Sequence, residues 1–273
     1  FVQTHDLAQK ENYDLVKSRI DMEELLNYLI TEIYCNNINW PYTNMRWWRE
    51  RKEGSKWRWV LLDMDWGFGV QYKNFTSRYT DNALNLVTSA PGSHSARFPW
   101  STVLFRGLFE NEEFQHAFIQ RFASYLNTTF HEDRVLGIVD ALKARIEPEM
   151  ARHIERWNDK PNEIIYNDPP IPDMATWSAR VELMREFAKR RPAFQRQHIV
   201  DFFGLAGFAD LTLDIADPEG GRVFIAGVEM ADGYIGPYFR NLPLQLRAVP
   251  KVGYAFAGWQ GLSSSSSETI SVI

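Results

Sequence analysis

Apolar and polar positions along the chain follow two different periods, which predict a helical part followed by a strand-rich part. From Met22 to Tyr34, apolar residues recur at every third or fourth position, and this spacing predicts a helix with one buried face. Asp21 and Glu24 form a capping-box pattern at its start. Further helices are predicted over Asp6–Ile20, Asn111–Tyr125, His131–Trp157 and Asp173–Phe203, the last interrupted near Pro192.

After residue 204 the pattern changes to an alternation typical of strands. Leu211, Leu213 and Ile215 alternate with polar residues, and a turn at 218–221 follows. More short strands are predicted over Leu242–Val249 and Tyr254–Trp259. We therefore expect a mainly helical unit at 1–204, a small β module at 205–262, and a Ser-rich linker or a truncated continuation at 263–273. The fold class is α+β.

A short hairpin is predicted inside the helical part. Its strands cover Asn44–Arg49 and Lys56–Asp63, and the Gly54 turn joins them. A long polar loop over Tyr72–Pro99 follows, and loops of that length in compact domains are often functional.

The second strand of this hairpin ends in a pair of acidic residues. Asp63 and Asp65 lie two positions apart in the sequence Asp-Met-Asp-Trp-Gly-Phe-Gly, so an extended chain would put both on one face, ~7 Å apart. Hard cations such as Mg²⁺ prefer oxygen ligands of this kind. The alternative is that the two aspartates only cap a turn. The nearby Phe-Gly and the upstream Asn44 favour a metal site.

Two asparagines upstream complete a spacing used in phosphoryl transfer. Asn39 and Asn44 are five positions apart, as are the Asp and Asn of a kinase catalytic loop, and a strand then leads to an Asp near a Phe-Gly. The base position departs from that scheme, because Asn39 is an amide that cannot accept a proton.

These segments resemble the CotH kinases, a family named for spore coat protein H. The resemblance rests on residues 21–34, on Asn37-Ile38-Asn39-Trp40-Pro41-Tyr42-Thr43-Asn44, on Trp57-Arg58-Trp59 and on Asp63-Met64-Asp65-Trp66-Gly67-Phe68-Gly69. It extends over roughly residues 1–204, which look like the C-lobe of an atypical protein kinase; the family's N-lobe is expected to precede Phe1.

The resemblance implies an ATP-dependent Ser/Thr protein kinase. It places Asn44 and Asp63 in metal and nucleotide binding, with Mg²⁺ or Mn²⁺ as the metal and Asp65 as a further ligand. Family members usually have Asp where this chain has Asn39, so the resemblance also allows a pseudokinase. The implied partner is a protein with Ser or Thr acceptors.

The strand-rich part has a resemblance of its own. Three segments, 221–223, 244–250 and 253–259, look like a small internalin B-repeat module. Such modules are common in secreted or surface bacterial proteins. This resemblance implies an extracellular or cell-surface location, and a cell-surface or coat component is one role that fits.

Composition narrows the classes of function that need to be considered. The net charge is -5, from 30 basic and 35 acidic residues, so there is no overall basic field for nucleic acid. No apolar run approaches ~18 residues, so no membrane span is predicted. Cys35 is the single cysteine, which excludes an internal disulfide.

The tryptophans suggest a second class of function. Six of the ten lie between Trp40 and Trp66, and exposed indole rings with two nearby carboxylates also suit a carbohydrate-binding or glycan-processing protein. The two classes differ in where the rings point: a kinase C-lobe would bury most of them, whereas a glycan site would line an open cleft with several. The basic side chains of the hairpin are expected to be solvated.

Overall fold

The computed structural model describes residues 1–41, 43–69, 77–89, 99–158 and 171–273, with mixed helix and strand. Its helices, in chain order, are α1 Lys10–Arg19, α2 Met22–Cys35, α3 Leu84–Thr88, α4 Val103–Leu108, α5 Glu112–Asn127, α6 Glu132–Trp157 and α7 Met174–Phe203. Its strands are β1 Arg46–Trp48, β2 Arg58–Val60, β3 Phe208–Leu213, β4 Gly221–Ile225, β5 Val228–Met230, β6 Tyr234–Phe239, β7 Leu244–Pro250 and β8 Thr269–Val272. Short 3₁₀ turns cover Met64–Trp66 and Pro99–Ser101.

Helix α2 is the centre of the helical part, as its apolar spacing predicts. Leu25, Leu29, Ile30 and Ile33 are fully buried. The capping box forms only in part, since the Asp21 side chain accepts from the Glu24 N–H at 3.4 Å. The Glu24 carboxylate accepts instead from the N–H of Trp59, at 2.8 Å, and so ties β2 to the first turn of α2.

Helices α6 and α7 pack against each other and form a second apolar cluster. Its buried members are Val135, Val139, Met150, Ile154, Trp177, Val181 and Ala188. The predicted interruption at Pro192 is wrong: α7 runs unbroken through it. Ala188, Arg191 and Gln195, close to this proline in the sequence, are buried, so this part of α7 is packed into the protein.

The long loop predicted over Tyr72–Pro99 lies partly outside the described residues. In its described part, Leu84–Thr88 forms the short helix α3, which buries Leu84 and Val87. The segment is rich in Ser, Thr and Asn, and this composition predicted a loop although two of its apolar residues have helical spacing.

The strands after residue 205 form two antiparallel sheets. One pairs β3 with β6, and the other has the order β5-β4-β7-β8. The tail beyond 263 contributes the edge strand β8, whose Leu246↔Ile270 pairing with β7 fixes the register. The strand predicted over Tyr254–Trp259 is wrong. These residues form a loop, in which Trp259 donates hydrogen bonds to the carbonyls of Ser265 and Ser267.

Helix α5 joins the two parts of the chain. Its Ser124 hydroxyl donates to the Ile225 carbonyl at 2.9 Å, and the Gln120 amide donates to the Phe239 carbonyl at 3.1 Å. Arg121 donates to the Ala226 carbonyl and, on its other side, to the Glu23 carbonyl of α2. Apolar residues of both parts belong to one continuous core. The division near 205 as a domain boundary stays a prediction.

No helix in the described part of the chain is both long and apolar enough to cross a membrane.

Candidate functional site

The hairpin brings Asn44 and Asp63 to one end of the same two strands. Strands β1 and β2 pair antiparallel, with Arg46 opposite Val60. Asn44 precedes β1 and Asp63 follows β2, so both lie at the same end of the hairpin. That the two residues share one site stays a prediction.

Both residues have the left-handed backbone conformation, with φ 56° at Asn44 and 57° at Asp63. Asn and Asp tolerate this region better than other residues with a side chain. Such conformations persist where surrounding structure enforces them, and they cluster at functional sites.

The turn after Asp63 is docked onto the end of α2. The Phe68 N–H donates to the Cys35 carbonyl at 2.8 Å. At Gly67 an added Cβ would lie 3.1 Å from the Met64 carbonyl oxygen and 3.2 Å from that of Cys35, so a side chain there would be crowded. The Phe68 ring packs on Tyr34 of α2 and Phe187 of α7, with centroid distances of 6.1 and 5.0 Å. The Phe-Gly pair thus anchors the acidic turn to the helical core.

Asp63 and Asp65 are both exposed, and their carboxyl groups lie close enough to influence each other. Partial burial and the neighbouring Asp63 together raise the pKa of Asp65, with burial the larger cause. Two carboxylates this close repel each other. A divalent cation bound between them would remove this repulsion.

Asn39 and Asn44 belong to the loop that follows α2. The Asn39 carbonyl accepts from both the N–H and the hydroxyl of Thr43, which closes a turn between them. Asn39 is half-buried. The Nδ2 atom of Asn44 is buried and has no hydrogen-bond partner among the described residues, and such an atom calls for a ligand or solvent partner. Tyr42, part of the same motif, lies outside the described residues.

The donor set fits a metal held jointly with phosphate. In the part of the chain that the structure describes, no three His, Cys, Asp or Glu side chains converge as a complete metal cage. Mg²⁺ in nucleotide sites is commonly held by one or two carboxylates together with substrate phosphates. Asp63 and Asp65 are such a pair.

Sequence reasoning missed two residues behind this loop, Glu32 and Asn37. Both are fully buried, and the Asn37 amide donates to the Glu32 carboxylate at 3.0 Å. Burial raises the pKa of Glu32 to about 7, opposed by this hydrogen bond. The available signal was an acidic residue on the apolar face of α2, three positions after Leu29.

Arg191 of α7 is a third residue that the pattern did not single out. Its fully buried guanidinium donates to the carbonyls of Ile33 and Tyr34 at the end of α2, and to that of Tyr79. Burial lowers the pKa of Arg191 to about 10. These hydrogen bonds join α7 to the last carbonyl groups of α2, of which that of Ile33 also accepts from the Asn36 N–H.

An open apolar groove lies on one face of the hairpin. It has a volume of about 590 Å³, and four of its lining residues are Trp47, Trp57, Trp59 and Trp100. Trp47 and Trp100 are half exposed, at 49% and 54%. None of Asn39, Asn44, Asp63 and Asp65 lines it. The predicted solvation of the basic hairpin side chains is confirmed: Arg46, Arg49, Arg51, Lys52, Lys56 and Arg58 are all exposed.

The fold and the site define a mixed helix-and-strand protein whose acidic pair is held at the end of a hairpin against a helical core. The family model described as CotH kinase protein matches residues 1–195, and the chain belongs to this family. Comparison with curated proteins and with solved structures gave no match.

Proposed function

We propose that this protein is a CotH-type phosphotransferase that uses ATP with Mg²⁺ or Mn²⁺ to phosphorylate Ser or Thr hydroxyls of a partner protein. The observation that supports the proposal is the pair of neighbouring carboxyl groups, Asp63 and Asp65, that follows β2 at the end of the hairpin where Asn44 precedes β1. The family match to residues 1–195 supports the same class of activity.

Each residue has a role that follows from its chemistry. Asp63 and Asp65 would bind the metal, and the Asn44 side chain would complete the site beside the phosphates. The bound metal would supply charge neutralisation for the transferring phosphoryl group. Asn39 can orient the acceptor hydroxyl by hydrogen bonding, but it cannot take the proton. The proton must then leave to solvent or to a phosphate oxygen, so slow turnover, or binding without turnover, is expected.

The strand-rich part fits an extracellular or cell-surface setting, and the proposed partner is a protein of such a surface or coat. The internalin B-repeat resemblance is the support for this placement. It rests on the sequence segments at 221–223, 244–250 and 253–259.

A glycan-binding protein is the second candidate, because several tryptophans line an open groove. Sugar hydroxyls also need hydrogen-bonding groups beside the stacking rings. Among the described residues that line the groove, the polar groups besides the indole N–H groups belong to Arg19 and Ser101, and the acidic pair is not part of it. The groove supports glycan binding, but this support is weaker than the support that the acidic pair gives to phosphotransfer.

Metal titration tests the proposal first. Mn²⁺ binding is measured by calorimetry, alone and with ATP, on the wild type and on Asp63→Ala. We expect metal-dependent ATP binding that Asp63→Ala abolishes. Asp133→Ala, which removes the same charge from an exposed position on α6, is the matched control and should bind as the wild type does.

Asn39→Asp tests the role of the base position in a phosphotransfer assay. We expect turnover to rise by about 10²-fold or more if a general base is restored. Turnover confined to the variant would make the natural protein a pseudokinase. A folded wild type that binds neither Mn²⁺ nor ATP, yet binds on a glycan array, would overturn the proposal in favour of the second candidate.

A further inference from the structure

A buried acid–amide pair lies directly behind the Asn39 loop. Oε2 of Glu32 accepts from Nδ2 of Asn37 at 3.0 Å. The other carboxylate oxygen, Oε1, is buried and has no hydrogen-bond partner among the described residues. A buried carboxyl group with a single hydrogen bond costs free energy rather than supplying it. Stability therefore does not explain this pair.

The Asn37 side chain contacts both segments of the candidate site. Its Oδ1 accepts from the Asn39 N–H at 3.3 Å. Its Nδ2 also lies 3.6 Å from the Met64 sulfur, a weak acceptor. Met64 stands between Asp63 and Asp65, so one amide links the Asn39 loop to the acidic turn.

Glu32 sets the direction of that amide. Oε2 of Glu32 accepts from Nδ2, and this hydrogen bond holds the Nδ2 end of Asn37 toward Glu32. The Oδ1 end is then left for the Asn39 N–H. Metal sites use the same arrangement, in which outer hydrogen bonds orient the groups that contact the ligand.

We infer that Glu32 and Asn37 form a positioning pair that sets the Asn39 loop in register with the Asp63–Asp65 turn. The inference rests on the proposed function, because it assigns the pair to the same site. Neither residue lies at the reacting atoms; both act through Asn39 and Met64.

A donor–acceptor exchange tests the pair. Asn37→Asp puts two carboxyl groups face to face and removes the Nδ2 donor, so the hydrogen bond between positions 37 and 32 is lost. Adding Glu32→Gln restores it in reverse: the amide introduced at position 32 donates to the carboxylate introduced at position 37, whose other oxygen accepts from Asn39. Glu32→Gln alone keeps an acceptor for Asn37 and is the conservative control.

Two readouts follow each variant. The amide proton and nitrogen shifts of Asn39 report the loop directly, and Mn²⁺ affinity reports the site. We expect Asn37→Asp to shift the Asn39 signal and to weaken Mn²⁺ binding about tenfold or more. The double variant should return both to near the wild-type values, and Glu32→Gln alone should change neither appreciably.

A purely structural role gives a different pattern. Asn111→Ala removes another buried asparagine, one that caps α5 and donates to the Leu7 carbonyl. It should lower stability while leaving the Asn39 signal and Mn²⁺ affinity unchanged. If the double variant is as impaired as Asn37→Asp, or if Asn37→Asp changes neither readout, the inference is overturned. A wild type that binds no Mn²⁺ would refute the proposed function alone, since the Asn39 signal still tests the pair.

Discussion

At the scale of single residues, the site combines ordinary side chains with uncommon surroundings. Asn44 and Asp63 both have positive φ, and the acidic side chain of Glu32 is fully buried. The sequence predicts the first two as members of one site, because their spacing is visible in the chain. It does not predict Glu32 as a member, because its burial depends on where β2 and the Asn37 loop come to lie.

The buried acid Glu32 has a consequence for stability against pH. Its pKa is raised from the ordinary value of 4.5 to about 7 in the folded protein. The folded state therefore binds more protons than the unfolded state between these values, and its stability falls as pH rises through this window. The free-energy cost of burying the ionised carboxyl group is absent below about pH 4.5 and fully present above about pH 7.

Glu32→Gln should remove this dependence. We expect the variant to be more stable than the wild type at pH 8 by up to about 3 kcal/mol, and to differ little from it near pH 5. Urea unfolding of both proteins at the two pH values gives the difference between them. If the free energies of unfolding of the two proteins differ by the same amount at pH 5 and pH 8, the raised pKa of Glu32 is contradicted.

At the scale of elements, the contacts that join helices and strands lie mainly at helix ends and in turns. The start of α2 is predictable from Asp21 and Glu24, and the end of α7 from Gly204, which has φ 63°. The other half of the capping box does not form, because the Glu24 carboxylate accepts a hydrogen bond from the N–H of Trp59 in β2 instead. The loop at 254–259 has strand-like alternation, yet Gly253 directly before it and Gly258 within it have positive φ, and these conformations break the extended backbone.

The turn between β4 and β5 allows a sharp test of the contact between α5 and the strands. Gly227 has φ +81°, and an added Cβ would lie 1.9 Å from Nη2 of Arg121. Gly227→Ala would therefore strain the backbone and displace Arg121 from the carbonyls of Ala226 and Glu23. We expect a loss of about 2–4 kcal/mol in the free energy of unfolding.

Gly233→Ala is the matched control for that change. Gly233 has φ +69° but no neighbour within 4 Å of an added Cβ. It should show the backbone strain alone, about 1–2 kcal/mol. Denaturant unfolding of both variants gives the comparison, and equal losses would mean that Arg121 does not hold the turn.

At the scale of the whole molecule, the change of sequence pattern near 205 marks a change of secondary structure within one continuous core. Buried residues of α2 and α5 share that core with Val223, Ile225 and Tyr238 of the strands. Patterning predicts where strands replace helices, because it follows local period. It does not predict that Gln120 and Ser124 of α5 hydrogen-bond the strands, because these contacts join residues more than one hundred positions apart.

The shared core predicts how the chain unfolds. We expect one cooperative transition for residues 1–273 in calorimetry, since both parts lose their common interface together. A chain ending at 204 should unfold at a lower temperature and bind a hydrophobic dye, because the strand-facing side of α5 becomes exposed. Two separate transitions, or an unchanged melting temperature for 1–204, would show instead two independent domains.

The end of α2 also gives the molecule a built-in reporter. Cys35 is the single cysteine, its thiol is buried, and burial raises its pKa to about 12. Its carbonyl is the group that holds the Phe68 turn. A thiol reagent reaches Cys35 only when this helix end opens, so the labelling rate of the unmodified protein measures how often the acidic turn detaches from the core.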